Sequence, residues 1–261
     1  MNTPTVSSLV HTALAGVQVI QPGDNLTEIT ITGLSDSGIS LTDGDVVVFA
    51  QKIVSKTENR FVNLSEITPS SKAQKLAEET GKDARLVEVI LQEGVRVVRT
   101  RENLIIVEHR LGFVCANAGL DHSNVASPSG QPGDWVLLLP ENPDKSAQRL
   151  RRELEDSTGA NIGVLIIDSH GRAWRLGTVG VAIGIAGFPA LLDRRGMPDL
   201  YGNPLMATQV GLADEVAAGA SALMGQADEG RPIVHVRGLP YELREGNLCE
   251  LIRPKDEDLF R

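Results

Sequence analysis

The chain has 261 residues, 41% of them hydrophobic, with 25 Lys and Arg against 34 Asp and Glu for a formal net charge of −9. That length allows one large domain or two small ones with a sizeable core, and the acidic balance excludes a general binder of nucleic-acid backbones, which needs clustered cations. Two cysteines, Cys115 and Cys249, are too few for a disulfide framework, no apolar run is long enough to span a membrane, and the start MNTPTVSSLVHTAL lacks the pattern of a signal peptide, so a cytoplasmic protein is expected.

Aromatics make up only 3% of the chain, so the core must come from Val, Ile, Leu and Ala, which suits buried strands flanked by helices. Thr27 to Thr32 alternates polar and apolar residues and reads as a half-buried strand. Val46 to Ala50 is continuously apolar after the turn formers Thr42 to Asp45 and reads as a buried strand. Ser70 and Ser71 can cap a helix through Leu76 to Thr80, stopped by Gly81. Asp83 can start a second helix with Leu86, Val87, Ile90 and Leu91 on one face and Gly94 at its end. Val95 to Val98, Leu104 to Val107 and Trp135 to Leu139 follow as strands. Asp144 is the expected cap of a helix through Leu150 and Leu154, closing near Gly159, with Arg149, Arg151 and Arg152 on a solvated face. Ile162 to Ile167 is a strand ending at Asp168, Ala213 to Met224 a helix of small residues, and Ile233 to Arg237 a strand. The fold class is α/β in the mixed α+β sense, without the regular alternation of a doubly wound sheet. The polar stretch Ser127 to Asp134 is a surface loop or a boundary between two subdomains meeting near 120–142.

Four segments carry chemistry. Asn117 to Asn124 gathers a carboxylate, amides, a hydroxyl and an imidazole, and reads either as an Asx-rich turn or as a site where Asp121 meets a hard cation. Asp168-Ser169-His170-Gly171-Arg172 places an acid at a strand end followed by a hydroxyl, which suits Mg²⁺ or Mn²⁺ near phosphates; the same residues suit a hairpin turn, with Ala173-Trp174-Arg175 as the return strand. Gln51, Lys52 and Lys56 follow a buried strand and can meet phosphate charge, although lysines there are more often solvated. Met224 to Gly230 is a nucleotide-closing loop or an ordinary helix stop. No Walker-type phosphate loop is present, and Gly180, Gly184 and Gly187 do not match the dinucleotide fingerprint, so close backbone packing is their simplest use. Cys115 reads as a core thiol.

In this order and spacing, these segments resemble the F420-0:gamma-glutamyl ligase family across about residues 16 to 240. The resemblance rests on QKIVSK at 51–56, GFVCANAG through Asn124, Leu137 to Pro140, Asp168 to Arg172, Gly177 to Gly187, Asp199 to Gly202, Ala213 to Glu215 and Met224 to Gly238. It implies a gamma-glutamyl ligase-like fold in an intertwined homodimer, with one ligase domain over 1–261 and no nitroreductase-like domain after it. The implied reaction joins L-glutamate to coenzyme F420-0 or its dehydro form, with GTP becoming GDP and phosphate, supported by two Mn²⁺ or Mg²⁺ ions and K⁺. By matching positions, Asp121 and Asp168 hold one metal and Ser169 and Gln226 a second. Val17, Gln18, Val19, Ile20, Gln51, Lys52, Lys56 and Asn124 line the GTP site, together with Met224, Gly225, Gln226, Ala227, Asp228, Glu229, Gly230 and Arg231. Gln18 stands where the family often has Pro, and Gln226 where some relatives carry an acid. No general base is assigned, His122 and His170 being candidates by type. A metal-dependent phosphotransferase or phosphatase, and a GTP-binding protein without turnover, are the alternatives. No nucleic acid or membrane partner is expected.

Overall fold

In the computed structural model, residues 7–125, 127–130 and 133–258 are described. Gln131 and Pro132 of the polar loop lie outside them. The elements in chain order are β1 (Val10–Ala13), α1 (Leu26–Asp36), β2 (Val46–Ala50), α2 (Gln51–Thr57), β3 (Phe61–Asn63), α3 (Ser71–Thr80), α4 (Ala84–Glu93), β4 (Gly94–Arg101), β5 (Leu104–His109), β6 (Val114–Ala116), β7 (Trp135–Leu137), α5 (Pro143–Thr158), β8 (Gly163–Arg172), β9 (Arg175–Ala186), β10 (Leu192–Asp193), β11 (Gln209–Val210), α6 (Leu212–Met224) and β12 (Ile233–Arg237).

The main sheet has the order β1-β12-β2-β8-β9. Only β2 and β8 run parallel, and every other pair in it is antiparallel. The alternation of side chains along β2 explains its uninterrupted apolar run. Val47 and Phe49 face a core shared with Leu34 of α1 and Leu150 and Leu154 of α5, while Val46 and Val48 face Val216, Ala217 and Ala220 of α6. The sheet is thus covered on both faces. A second, three-stranded sheet β4-β5-β6 packs Ile105 and Val107 against Ala73, Ala77, Val87 and Ile90 of α3 and α4. The short pair β3-β7 joins Val136 to Val89 and Leu64.

Three glycines do what their spacing in the sequence suggested. A Cβ on Gly180 would lie 2.6 Å from the Ala217 carbonyl, one on Gly184 would lie 2.5 Å from the Pro143 carbonyl, and one on Gly187 would strike the Arg151 guanidinium. The first two let α6 and α5 settle directly on the backbone of β9.

Four expectations are corrected. Thr27 to Thr32 is helix, not strand: the Asn25 side chain caps the amides of Thr27 and Glu28, Glu28 reaches back to Asn25, and Leu26, Thr27, Thr30, Gly33 and Leu34 form one buried helical stripe. The cap of α5 is Asn142 rather than Asp144, whose carboxylate instead receives the amides of Ile185 and Leu248. Arg151 is not solvated: it lies half-buried over Gly187 and donates to the Ile162 carbonyl and the Asn161 and Glu155 side chains. Asp168 does not end its strand; β8 continues to Arg172 and turns through Ala173-Trp174 into β9, the return strand expected at Arg175.

Candidate functional site

The parallel pair sets the location of the site. Ala50 stands beside Ile167, so β2 delivers Gln51 and Lys52 next to the point where β8 presents Asp168. Ligand sites in α/β sheets gather at such carboxyl ends of parallel strands. The chain turns at once into α2, which puts Lys52 and Lys56 one turn apart on the same side. Burial lowers the Lys56 pKa, and the charge of Lys52 lowers it further. The Asp121 carboxylate acts the other way on Lys56 but does not cancel these two effects.

Asp121 arrives from the other sheet. After β6 the chain passes through Asn117, Ala118 and Gly119, all with positive φ (49°, 55° and 66°). A left-handed run is unfavourable for L-residues, at about 1–2 kcal/mol each, and only Gly enters it freely. Neighbours hold it in place: Asn117 Oδ1 accepts the Ile105 amide at 3.2 Å and Ala118 is fully buried. Asp121 then exchanges two backbone hydrogen bonds with Leu137, each 2.9 Å, which fixes its position on β7. Its carboxylate accepts from Lys52 Nζ at 2.5 Å and from the Gln51 amide, which Ser55 orients by donating to Gln51 Oε1 at 3.0 Å.

The two aspartates differ in charge environment. Burial pushes Asp121 above the usual carboxylate range, the nearby charge of Asp168 adds to this, and Lys52 offsets it only in part. Burial acts on Asp168 in the same direction, but the hydrogen bond and charge of His170, the Ser169 amide and Lys52 outweigh it and hold Asp168 low. His170 Nε2 lies 3.0 Å from Asp168 Oδ2. Cys115, also near Asp168, is pushed up to about 12 by burial and by that charge, so its thiol stays protonated, as a core thiol should.

Gln51, Lys52, Lys56 and Asp168 border a cavity of about 540 Å³. The expected nucleotide-site residues all line it: Val17 to Ile20, Gln51, Lys52, Lys56, Asn124 and the whole of 224–231. Asp168, Ser169 and Gln226 of the expected metal set line it too, and Asp121 stands just behind its wall, in contact with Gln51 and Lys52. The loop after α6 is tied to the other segments. Ser169 Oγ donates to Gln226 Oε1 at 2.8 Å, and Asn124 Nδ2 donates to the Ala227 carbonyl at 3.0 Å across 103 residues of sequence. Glu229 accepts the Ala227 amide at 2.8 Å, and its carboxylate folds over the bare Cα of Gly225. The loop is therefore both a helix stop, with Gly225 at φ 75°, and a wall of the cavity.

The donor chemistry suits a hard cation. Asp121, Asp168, Ser169 and Gln226 offer oxygen only, as Mg²⁺ and Mn²⁺ prefer. Among the described residues no group of three His, Cys, Asp or Glu side chains is placed to hold a metal ion. His122 is turned away: it is exposed and pairs with Asp134 at 3.0 Å.

The family model for F420-0:gamma-glutamyl ligase matches residues 16–238. This chain belongs to that family. Curated relatives named coenzyme F420:L-glutamate ligase are 46% identical over 248 residues in Methanothermobacter thermautotrophicus (94% of this chain, 96% of the relative) and 48% identical over 246 residues in Methanopyrus kandleri (93% of each). The relative of the same name in Archaeoglobus fulgidus is 41% identical over 246 residues, 94% of each chain. Reading the sequence passed over Ser221 and Ile53, which also line the cavity. Ser221 accepts from Gln226 Nε2 at 3.2 Å, and its signal was its helical spacing of seven from Asp214, one face of α6 over β9. The site contact of Ile53 had no sequence signal, since a buried apolar residue of α2 looks the same whether it faces a core or a ligand.

Proposed function

We propose that this ligase joins the amine of L-glutamate to the carboxylate of coenzyme F420-0 or its dehydro form, with GTP as the energy source and further glutamates added through gamma links. The single observation that carries the reading is the convergence, in one cavity, of Lys52 and Lys56, the Asp168-Ser169-Gln226 oxygens and the 224–231 loop, with half-buried Asp121 behind them. A carboxylate is a poor electrophile, and transfer of the GTP γ-phosphoryl group to it creates an acyl phosphate that the glutamate amine can attack.

In this reading Lys52 and Lys56 meet the triphosphate and compensate the charge that moves during transfer. Asp121 and Asp168 would hold one Mg²⁺ or Mn²⁺, and Ser169 with Gln226 a second. The ions would supply charge neutralisation along the phosphate chain. Val17 to Ile20 and the 224–231 loop wall the nucleotide off from water, with Asn124 holding that loop in place. A homodimer fits the surface: Trp174 and Leu176 at the β8–β9 tip, and Leu200, Tyr201 and Met206 between β10 and β11, are nearly bare. Free Cys115 and Cys249 agree with a cytoplasmic location.

The test is mass spectrometry of the deazaflavin precursor after incubation with GTP, L-glutamate and Mn²⁺. A ladder spaced by glutamyl units is expected. GTP consumption that is indifferent to glutamate, with no ladder, would point to a phosphatase and overturn the proposal.

A further inference from the structure

His170 sits beside Asp168 yet does not line the cavity. Both side chains are about nine-tenths buried, at 11% exposure. They occupy positions two apart on β8, so both project from the same face of the strand. The ring is also held from behind. Phe113 packs on it at 5.1 Å between centroids, tilted by 56°, and Phe113 also stacks on His109 at 5.2 Å and 8°. His109 is itself fixed: its Nδ1 accepts the Leu111 amide at 3.1 Å, which leaves the proton on Nε2, 3.6 Å from Glu93. Glu93 is clamped by Arg110 at 3.1 Å and Arg60 at 3.5 Å. An anchored stack thus runs from the end of α4 through His109 and Phe113 to His170, and ends on one oxygen of Asp168.

We infer that His170 is a positioning residue, whose Nε2–H engages Asp168 Oδ2 and so turns Oδ1 toward the cation and phosphate side of the cavity. The inference rests on the proposed metal role of Asp168. Its physical basis is general. A carboxylate rotating freely about χ2 presents either oxygen, or both, at varying angles, whereas one tied to a donor on an immobile ring presents one. Partners of this kind change metal affinity by roughly 10- to 100-fold when removed. Phe113 then acts at one further remove, by keeping the ring plane where Nε2 meets Oδ2.

The experiment compares His170→Gln, which retains an N–H donor of similar reach, with His170→Met, which has similar bulk and no donor. Mn²⁺ is titrated into each full-length protein at saturating GDP, and free Mn²⁺ is read by electron paramagnetic resonance. Thermal unfolding without Mn²⁺ or GDP checks that each variant is folded. His170→Met is expected to raise the Mn²⁺ Kd by roughly 10- to 100-fold, while His170→Gln stays within about threefold of the unsubstituted protein. Phe113→Leu, which removes the support and keeps the donor, should fall between them. Equal Mn²⁺ affinity in the Met variant and the unsubstituted protein, or equal loss in Met and Gln, overturns the inference while leaving the metal reading intact. Absence of Mn²⁺ binding by the unsubstituted protein overturns both together.

Discussion

The contact between α6 and β9 decides where the 224–231 loop sits, and it can be tested at one atom. In Gly180→Ala the new methyl would lie 2.5 Å from Ser221 Cβ, 2.6 Å from the Ala217 carbonyl oxygen and 3.1 Å from its carbon. Favourable contacts between such atoms begin near 3.5 Å, so the helix must retreat from the sheet by about 1 Å. Two of the three atoms are backbone, and no side-chain rotation relieves them. Overpacking of this kind costs about 1–3 kcal/mol, and the backbone clash places this case at the upper end. A chain of this size should lose roughly 2–4 °C of Tm per kcal/mol, so a fall of about 6–12 °C is expected by scanning calorimetry. The matched control is Gly171→Ala on the neighbouring strand, where an added Cβ meets nothing within 4 Å. That change should stay within about 0.5 kcal/mol. The variant should also bind GTP more weakly, because Ser221 anchors Gln226 and moves with the helix. A Gly180→Ala protein whose Tm matches that of the Gly171→Ala control would show that the α6–β9 approach is looser than described, and the account of the loop would fail with it.

Asp168→Asn should lower GTP-dependent glutamylation, measured as GDP release, by about 100-fold or more, since a lost ligand removes several kcal/mol of charge stabilisation; near-normal turnover would reject its metal role. Asn124→Gly keeps the left-handed backbone at φ 58° but deletes the hydrogen bond to the Ala227 carbonyl, and should raise KM for GTP by roughly two- to tenfold with a smaller effect on kcat. At the opposite end of β2, burial works against the Asp45 charge, but Arg237, His235 and the Thr42 amide outweigh it and hold the carboxyl below its ordinary value. Its stabilising contribution is therefore complete above about pH 4, the unfolded value, and is lost as pH falls through the lower folded value. Arg237→Met should cost roughly 1–2 kcal/mol at pH 7, Arg237 being about half exposed, and the difference from the unsubstituted protein in urea midpoints should shrink toward pH 3. A difference that grows on acidification would contradict the sign.

What could be read from the sequence follows from the range of the forces involved. The helices α3 and α4 announce themselves because both boundary signals are local: Ser70 and Asp83 accept amide protons two or three residues on, and Gly81 closes the first helix at φ 68°. The same local chemistry was present at Asn25 and Glu28, but the β-branched residues Thr27, Ile29, Thr30, Ile31 and Thr32 mimic a strand, and the reciprocal cap overrides that weak preference. Asp144 misled for the opposite reason. It is a good cap by type and position, yet Asn142 takes that role and Asp144 is left to bind Ile185 and Leu248, which a local reading cannot see. The site lies at the far limit of this scale. Gln51, Asp121, Asp168 and Gln226 come from four separate stretches, and composition alone favoured a turn at Asp121 and a helix stop at Gln226 and left turn and site compatible at Asp168. The ordered likeness to a family supplied their grouping, and the fold supplies the cause: a single parallel strand pair brings Gln51 and Asp168 side by side, a left-handed turn brings Asp121 to Lys52, and bare glycine on β9 lets α6 carry Gln226 to Ser169. Each of these steps is a long-range contact that becomes visible only when the strands are paired, which is why the turn reading and the site reading of the same residues are compatible.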